Sequence, residues 1–405
     1  MDQRPADPYR LLDPETLLDP YPLYAELRAN EPVHYSEAWS SWIVTRYDDV
    51  LAGFRDPRLC CDRSSTYAKA LPAPVIEQLR PILDNLGSWA LLVDPPRHTR
   101  LRGLVNKAFT PALVQALRPR IVTLVEALLD RVEAAGKMDI VADLASPLPV
   151  SVIAHMLGVR EEDGDKLKSW SNALARFIGS GRPTPEAAAA ALRGVVEMEA
   201  YFRDIIADRR RAPQDDLITA LVTAQEEGQI LNDRELLSTC SMVLFGGHET
   251  TTNLITNAAA ILLERPEQAA RLREETTRMP AAVEEFLRFD SPVQRMGRIA
   301  GEDLAIRGAS IKKGQLVWLM MGSANRDEGQ FPGADTLDLG RRDNKHLSFG
   351  IGAHYCVGAA LGRMEAEIAI GSLLRRFPSL RASPEAPVRI RSATLRGYES
   401  LPVLV

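Results

Sequence analysis

The segment 349–358, FGIGAHYCVG, constrains the fold of this chain more than any other stretch. It places Cys356 at the end of a glycine-rich turn, where a long helix is predicted to begin. Glycines permit backbone conformations that other residues resist, and they leave one face of the turn open to a large flat ligand. The free N–H groups of the turn and the positive end of the helix favour a thiolate, which is a good metal ligand. The alternative interpretation is a helix-start turn with a buried cysteine.

A second unusual segment lies within a long apolar helix. Asn232 and Glu235 form a predicted capping box, and the helix follows over about 236–263. Its centre holds the run GGHETTT at 246–252, in which each glycine costs about 1 kcal/mol relative to alanine. Because the flanking residues are apolar, this polar run lies where burial is expected, which indicates a functional role. The alternative is a kinked helix with an exposed polar step.

The composition fits a globular protein and argues against several classes of function. The 405 residues are 45% hydrophobic and carry a net charge of −5, which is unlike a nucleic-acid binder. The first eight residues contain no apolar segment and no spanning stretch follows, so we expect no membrane anchor. Four cysteines without a CxxC pattern fit a reduced, cytoplasmic protein. The basic runs at 209–211 and 341–342 are interpreted as solvated surface.

Helical periodicity dominates the chain as far as about Arg288. Runs rich in β-branched and aromatic residues predict strands at 42–47, 304–306, 315–321 and 388–390. No clear repeat or long linker divides the chain, and the nearest candidate is the Gly- and Pro-rich stretch 179–185, which is also a candidate substrate lid. We therefore predict a mainly α protein with small β-sheets that forms one domain over residues 1–405.

The cysteine loop resembles the haem-binding loop of the cytochrome P-450 family. That loop runs Phe, two residues, Gly, one residue, a basic residue, one residue, Cys, one residue, Gly. The resemblance implies the family's fold, with haem b (iron protoporphyrin IX) between the long central helix and the cysteine loop. It also implies that the cysteine is the thiolate ligand of the iron. The matching residues are, in order, Phe349, Gly352, His354, Cys356 and Gly358.

The central helix resembles the oxygen-binding groove of the same family, written Ala/Gly-Gly-x-Asp/Glu-Thr-Thr. The resemblance implies that Gly246 and Gly247 make room for O2 over the iron. Glu249 is then the acid that helps to relay protons, and Thr250 is the hydroxyl that acts with it. A carboxylate with solvent access and a nearby hydroxyl suit this chemistry, because the reduction of O2 requires two protons.

Glu285 and Arg288 lie three residues apart and share one face of a predicted helix. An exposed pair of this kind is a weak signal, worth about 0.3–0.5 kcal/mol. In the family, however, this pair lies inside the protein on the proximal side of the haem. A third partner comes from the irregular stretch before the cysteine loop, and the resemblance implies that Arg326 is this structural partner.

The two haem propionates require cationic or hydrogen-bonding groups at the rim of the pocket. His98 and Arg102 are four residues apart and share a predicted helix face. They match the propionate-binding positions of the family, as do Arg298 and, in the cysteine loop, His354. The adjoining Gly350 is also assigned to the cofactor-binding loop. For any one of these basic residues alone, solvated surface is the default interpretation.

The regions that contact substrate in the family map here onto mostly apolar residues. They suit a moderately large hydrophobic molecule such as a fatty acid, terpenoid, steroid or polyketide, although apolar lining is common to binding pockets. Arg295 belongs either to the propionate groups or to this pocket. The candidate substrate residues are Leu91, Val243, Gly247, Val293, Thr394 and Leu395.

The resemblance implies a monomeric monooxygenase of secondary metabolism, which inserts one atom of O2 by hydroxylation or epoxidation. Electrons would come from NAD(P)H through a reductase and a ferredoxin or flavodoxin. Arg102, Lys345 and Arg363 are candidates to bind such an acidic partner near the cysteine loop. Two alternatives remain. One is a relative that uses peroxide or couples substrates oxidatively, and the other is a non-catalytic haem sensor. The presence of Glu249 and Thr250 disfavours both.

Overall fold

The structure is a computed structural model that describes residues 9–11, 13–63, 73–179, 184–225 and 228–405. Most of these residues lie in helices, as the sequence predicts, and none of the helices in these ranges combines the length and apolar character that a membrane span requires. The helices are α1 (Pro14–Leu18), α2 (Tyr21–Asn30), α3 (Tyr47–Arg55), α4 (Ala73–Leu86), α5 (Arg97–Ala108), α6 (Pro111–Ala116), α7 (Arg118–Glu133), α8 (Pro147–Met156), α9 (Gly164–Gly179), α10 (Pro185–Arg211), α11 (Leu217–Thr223), α12 (Asp233–Leu263), α13 (Pro266–Glu274), α14 (Met279–Phe289), α15 (Met321–Ala324) and α16 (Ala359–Arg376).

Small β-sheets accompany the helices. The strands are β1 (Val33–Ser36), β2 (Ser41–Val44), β3 (Leu59–Cys60), β4 (Lys137–Asp139), β5 (Met296–Ala300), β6 (Leu304–Ile306), β7 (Ala309–Ile311), β8 (Leu316–Leu319), β9 (Arg381–Ala382), β10 (Val388–Arg389), β11 (Tyr398–Ser400) and β12 (Pro402–Leu404). The five-stranded sheet has the order β1-β2-β8-β5-β3, and the others are β4-β12-β9, β6-β7 and β10-β11. The last strand, β12, pairs with β4, so the end of the chain is tied to its middle.

The long helix α12 lies at the centre of the fold. Its start is closed by the predicted capping box, in which the Asn232 side chain accepts from the Glu235 N–H at 3.0 Å, and Glu235 accepts from the Asn232 N–H at 3.1 Å. Most of its residues are buried, and it packs against α4, α8, α9, α10, α14 and α16. The polar run at 246–252 therefore lies within a continuous helix, where His248, Thr251 and Thr252 are buried and the other residues of the run are partly buried or exposed.

The strand predictions are confirmed only in part. Strand β6 has the predicted bounds, and β8 and β10 are shorter than predicted. The strand predicted at 42–47 ends at Val44, because α3 begins at Tyr47, whose N–H donates to Asp327 Oδ2 at 2.8 Å. Strand β5, which contains Arg298, was not predicted, because its five residues form too short a pattern to indicate a strand. The predicted break at 179–185 lies largely outside the described residues, which omit 180–183.

A buried carboxyl group lies where α16 meets α12. Glu365 is 1% exposed, and its Oε1 has no hydrogen-bond partner among the described residues. The helices approach closely here, since a Cβ on Gly362 would lie 3.5 Å from Thr251 Oγ1. Burial raises the pKa of Glu365 to about 8, and a hydrogen bond from Thr251 offsets this only in part. The carboxyl group is therefore neutral over most of the physiological range.

We expect the Glu365→Gln variant to gain stability, relative to the wild type, as the pH rises from 5 to 8. The pKa of Glu365 is raised from 4.5 to about 8 in the folded state, so unfolding releases a proton between these values. The wild type therefore loses stability as the pH rises through this window, on the order of 3 kcal/mol by pH 7, and glutamine does not titrate. Urea unfolding across this range measures the effect. A difference between the two proteins that does not change with pH would contradict it.

Candidate active site

The cysteine loop forms a tight turn that leads into α16. Gly350 and Gly352 adopt φ values of +66° and +72°, which side chains with a Cβ disfavour. The Cys356 N–H donates to Phe349 O at 2.9 Å, which closes the turn. Cys356 is accessible to solvent, yet protein surrounds it on most sides. Burial raises the pKa of its thiol and outweighs the hydrogen bond from the Gly358 N–H, so the turn alone does not produce the expected thiolate. A bound metal ion would supply the missing positive charge.

The glycines of the central helix differ in their surroundings. Gly246 is exposed although α12 is otherwise largely buried, and a Cβ added to it would meet nothing within 4 Å. Open space therefore flanks this turn of α12. A Cβ on Gly247 would instead lie 2.5 Å from Ile153 Cδ1 of α8. Gly247 thus permits close packing of α8 and α12. The sequence analysis gave a different reason for glycine at this position, namely space for O2.

The acid and the hydroxyl of α12 occupy defined positions beside this space. The Thr250 hydroxyl donates to Gly246 O at 2.7 Å, one turn earlier in the helix. With its amide nitrogen turned toward α12, the Asn172 side chain of α9 donates to Glu249 Oε1 at 2.7 Å. Burial raises the pKa of Glu249, while the charges of Arg176 and Lys168 act against this shift. Glu249 therefore retains its proton to a higher pH than an ordinary glutamate does.

The four residues predicted to bind the propionates supply positive charge or N–H donors. Within the described residues, none of the four is hydrogen-bonded to a carboxylate. The rings of His98 and His354 lie 3.9 Å apart, and His98 Nε2 is buried without a hydrogen bond in the described structure. Arg298 is 3% exposed and donates to the neighbouring Gly297 O. Arg102 donates to Tyr355 O at 2.7 Å. No ion pair is recorded for either arginine within the described ranges. Such groups fit a ligand with two carboxylates, as haem has.

The predicted pair of Glu285 and Arg288 is fully buried. Arg288 donates to both carboxylate oxygens of Glu285, at 2.7 and 2.8 Å. The third partner is Arg341, whose Nε lies 3.2 Å from Glu285 Oε2, and Asn344 donates to the same oxygen at 3.1 Å. The prediction for Arg326 is wrong, because its guanidinium does not bond to either member of the pair.

Arg326 has other partners in the same region. Its Nε donates to Phe289 O, its Nη1 pairs with Asp335 at 2.8 Å, and its guanidinium stacks 3.6 Å from the Phe289 ring. Both arginines come from the stretch that precedes the cysteine loop. Only the fold distinguishes which one reaches Glu285.

The predicted substrate residues lie on several separate segments. Val293 and Leu395 face each other in an isolated antiparallel bridge. The Thr394 hydroxyl accepts from Arg295 Nε at 3.1 Å. The guanidinium of Arg295 is stacked on the rings of Trp39 and Trp318, so it holds the 394–395 turn and is not one of the rim groups. Val243 is buried on α12, and Leu91 is partly buried in the short 3-10 turn Ala90–Leu92.

Some site residues were missed by the sequence reasoning. Arg341 belongs to the site but was assigned to solvated surface. The same assignment was wrong for Arg209 outside the site, which is 8% exposed and pairs with Asp216. Asn172 and Lys168 on α9 contribute to the surroundings of Glu249, although nothing in their local sequence pointed to α12. A run of arginines gives the same local signal whether or not its members are buried. These contacts depend on tertiary packing.

Comparisons with known proteins agree with this arrangement. The sequence matches the family described as cytochrome P-450 over residues 35–394. The chain belongs to the cytochrome P-450 family. Cytochrome P-450 107B1 of Saccharopolyspora erythraea is 42% identical to it over 94% of this chain and 93% of that protein.

Solved structures of the family share the fold. The structure of P450BioI in complex with an acyl carrier protein ligated to hexadec-9Z-enoic acid is 38% identical, with a TM-score of 0.90 over 96% of this chain and 98% of that chain. CYP109E1 of Bacillus megaterium, in complex with testosterone, is 35% identical, with a TM-score of 0.84 over 95% and 99% of the two chains. The predicted fold class is therefore confirmed.

Membership of the family defines the cofactor and the general reaction. Cytochromes P-450 bind haem through a cysteine thiolate, and the protein is accordingly a haem-thiolate monooxygenase. Its relatives receive electrons from redox partners and act on small molecules. The side chains around the cysteine loop fit this cofactor, since uncompensated cationic groups and a thiol occur together there.

We expect the Glu285→Ala variant to lose about 3–5 kcal/mol of unfolding free energy, because Arg288 would be left as an uncompensated buried charge. It should also fail to incorporate haem stably, since the pair anchors the stretch that leads to the cysteine loop. Urea unfolding and the haem content of the purified protein measure the two effects. Arg342→Ala is the control, because Arg342 is exposed beside Arg341 and should change neither. Normal haem loading in Glu285→Ala would refute this prediction.

Proposed function

We propose that this single-domain, monomeric protein inserts one atom of O2 into a hydrophobic small molecule, by hydroxylation or epoxidation. The observation that carries the proposal is that open space flanks Gly246 on α12, beside a partly buried acid and a hydroxyl. Helix α16 packs next to this turn and begins at the cysteine loop. These are the two halves of an oxygen-activating site. The pairing of β12 with β4 supports one domain, since it joins distant parts of the chain.

The cofactor is held from two directions in this proposal. Cys356 would bind the iron through its thiolate, and Phe349, Gly350 and Gly358 shape the turn around it. His98, Arg102, Arg298 and His354 bind the two propionates. The burial of His98 and Arg298 supports this role, as does the lack of an ion pair for Arg102 and Arg298 in the described chain. Haem, when bound, supplies the iron at which O2 is reduced and activated.

Glu249 and Thr250 deliver protons to the reaction. The raised pKa of Glu249 supports its role as an acid, because the carboxyl group holds a proton at a pH where an exposed glutamate has lost it. The charges of Lys168 and Arg176 on α9 act on this carboxyl group and limit the rise of its pKa. The Thr250 hydroxyl lies one residue further along α12 and passes the proton toward the space beside Gly246.

The substrate is a hydrophobic molecule of moderate size. Support comes from the apolar candidates Leu91, Val243, Val293 and Leu395, which come from four separate segments. P450BioI was solved with a fatty acyl group on a carrier protein, and CYP109E1 with testosterone, so related proteins accept elongated apolar molecules. A screen of fatty acids, terpenoids, steroids and polyketides for a shift of the Soret band would identify the class.

Electrons come from NAD(P)H through a reductase and a ferredoxin or flavodoxin. The sequence offered Arg102, Lys345 and Arg363 as the docking charges. Arg363 pairs with Glu284 at 2.9 Å and Lys345 with Asp343 at 3.2 Å, so these two carry less free charge than expected. Arg342 is exposed close by and adds to the positive surface. The peroxide-using and sensor alternatives have no comparable support, because neither requires the acid and hydroxyl of α12.

We expect the reduced wild-type protein with carbon monoxide to show the absorbance band from which the family takes its number. The band reports a thiolate ligand of the iron, so Cys356→His should bind haem and lack the band. Cys60→Ser is the matched control and should retain it. A wild type without the band, or a Cys356→His variant with it, would exclude Cys356 as the ligand.

We expect the Thr250→Ala variant to consume NAD(P)H while it forms roughly 10-fold less oxygenated product, because protons no longer arrive in the required order. The missing electrons should appear as hydrogen peroxide, which contains both oxygen atoms and takes up two electrons and two protons. Thr250→Ser keeps the hydroxyl and should remain coupled. The assay measures product and peroxide per NAD(P)H, with a surrogate ferredoxin and reductase. Full coupling in Thr250→Ala would show that this hydroxyl has no part in proton delivery.

A further inference from the structure

Three side chains of metal-ligand type meet at one place beside the cysteine loop. Cys61 follows β3, Asp94 precedes α5, and His354 lies in the loop itself, so three distant parts of the chain contribute. The ligand atoms of all three lie within 4.8 Å of one another. The proposed function gives no role to Cys61 or Asp94.

Two of these side chains are held in position by the protein. Asp94 Oδ1 accepts from the Cys61 N–H at 2.8 Å, and Oδ2 accepts from the Asp62 N–H at 3.0 Å. Each carboxylate oxygen keeps a further lone pair, because a carboxylate offers about four acceptor positions. Cys61 is 4% exposed, so its sulfur is fixed among its neighbours and does not lie free at the surface. The cluster is therefore built from side chains that have little freedom to move apart.

The donor set is one that zinc prefers. Zinc takes sulfur from cysteine, nitrogen from histidine and oxygen from aspartate, and three protein ligands leave a fourth position for water. Bonds of about 2.0–2.3 Å place tetrahedral ligand atoms roughly 3.3–3.8 Å apart. From separations of up to 4.8 Å, the ligand atoms would therefore move together by about 1.5 Å at most. Burial raises the pKa of the Cys61 thiol, and the charges of Arg298 and Arg63 offset this shift only in part. The two arginines oppose a cation, but a metal-bound Cys61 thiolate together with the Asp94 carboxylate would balance both charges of the ion.

We propose that Cys61, Asp94 and His354 bind one thiophilic divalent cation, for which zinc(II) is the natural candidate. As the metal–sulfur bond forms, the Cys61 thiol releases its proton to solvent, and no oxidation or reduction is involved. Imidazole has two nitrogens, so His354 binds the metal through one and donates to a carboxylate through the other, as metal-ligating histidines commonly do. That carboxylate would be a haem propionate, and this single detail rests on the proposed function.

The test is zinc binding to the haem-loaded protein. The holoenzyme is freed of metals with a chelator, dialysed against zinc, and examined for zinc content and for the zinc X-ray absorption fine structure. We expect about one zinc per chain, with one sulfur at about 2.3 Å and nitrogen or oxygen ligands at about 2.0–2.1 Å. A zinc content well below one equivalent per chain, or an X-ray absorption spectrum without a sulfur neighbour, would overturn the proposal.

The adjacent cysteines provide a matched pair of variants. Cys61→Ser should lose the zinc–sulfur signal and bind zinc at least 10-fold more weakly, whereas Cys60→Ser should behave as the wild type. Asp94→Asn should weaken binding and retain the sulfur signal. A sulfur signal that persists in Cys61→Ser, or that is lost equally in Cys60→Ser, would disprove the assignment. The carbon monoxide spectrum of each variant shows independently whether Cys356 still holds the haem, so failure of the zinc site and failure of the proposed function are distinguishable.

Discussion

The buried pair of Glu285 and Arg288 is the interaction on which the arrangement of the site depends. Arg288 donates not only to Glu285 but also to the carbonyls of Asn325 and Ala334. Glu285 in turn accepts from Arg341 of the same irregular stretch. Turns hold parts of this stretch, and the side chains of Glu285 and Arg288 bind backbone groups between these turns. Because the Asn325 side chain accepts from the Leu347 N–H at 2.7 Å, the order imposed on the stretch reaches the start of the cysteine loop.

The rim of the candidate haem pocket shows the opposite situation, because Arg298 is buried there without an ion pair among the described residues. Burial lowers the pKa of Arg298, and burial together with the nearby His98 lowers that of His354 to about 3. Burying such groups without partners costs free energy, which a dianionic ligand would recover on binding. The protein without haem should therefore be less stable than the complex, since any ligand that binds only the folded state stabilises it.

The sequence predicts those parts of the structure that depend on local rules. The capping box of Asn232 and Glu235 is confirmed because both hydrogen bonds span only three residues. The pair on α14 was predicted for the same reason, together with the family resemblance. Arg341 could not be separated from Arg326, because each is a basic residue in an irregular stretch and only tertiary packing selects one. Strand β5 was also missed, since its pairing with β8 and β3 is entirely non-local.

The two adjacent glycines of α12 differ in a way that matters for redesign of the enzyme. A Cβ on Gly246 would enter open space, whereas one on Gly247 would collide with Ile153. Alanine at 246 thus narrows the pocket at little cost to the fold, while alanine at 247 requires the Ile153 side chain to move or to be shortened. Directed evolution of substrate preference should therefore recover single changes at 246 more often than changes at 247, which a smaller residue at 153 would accompany.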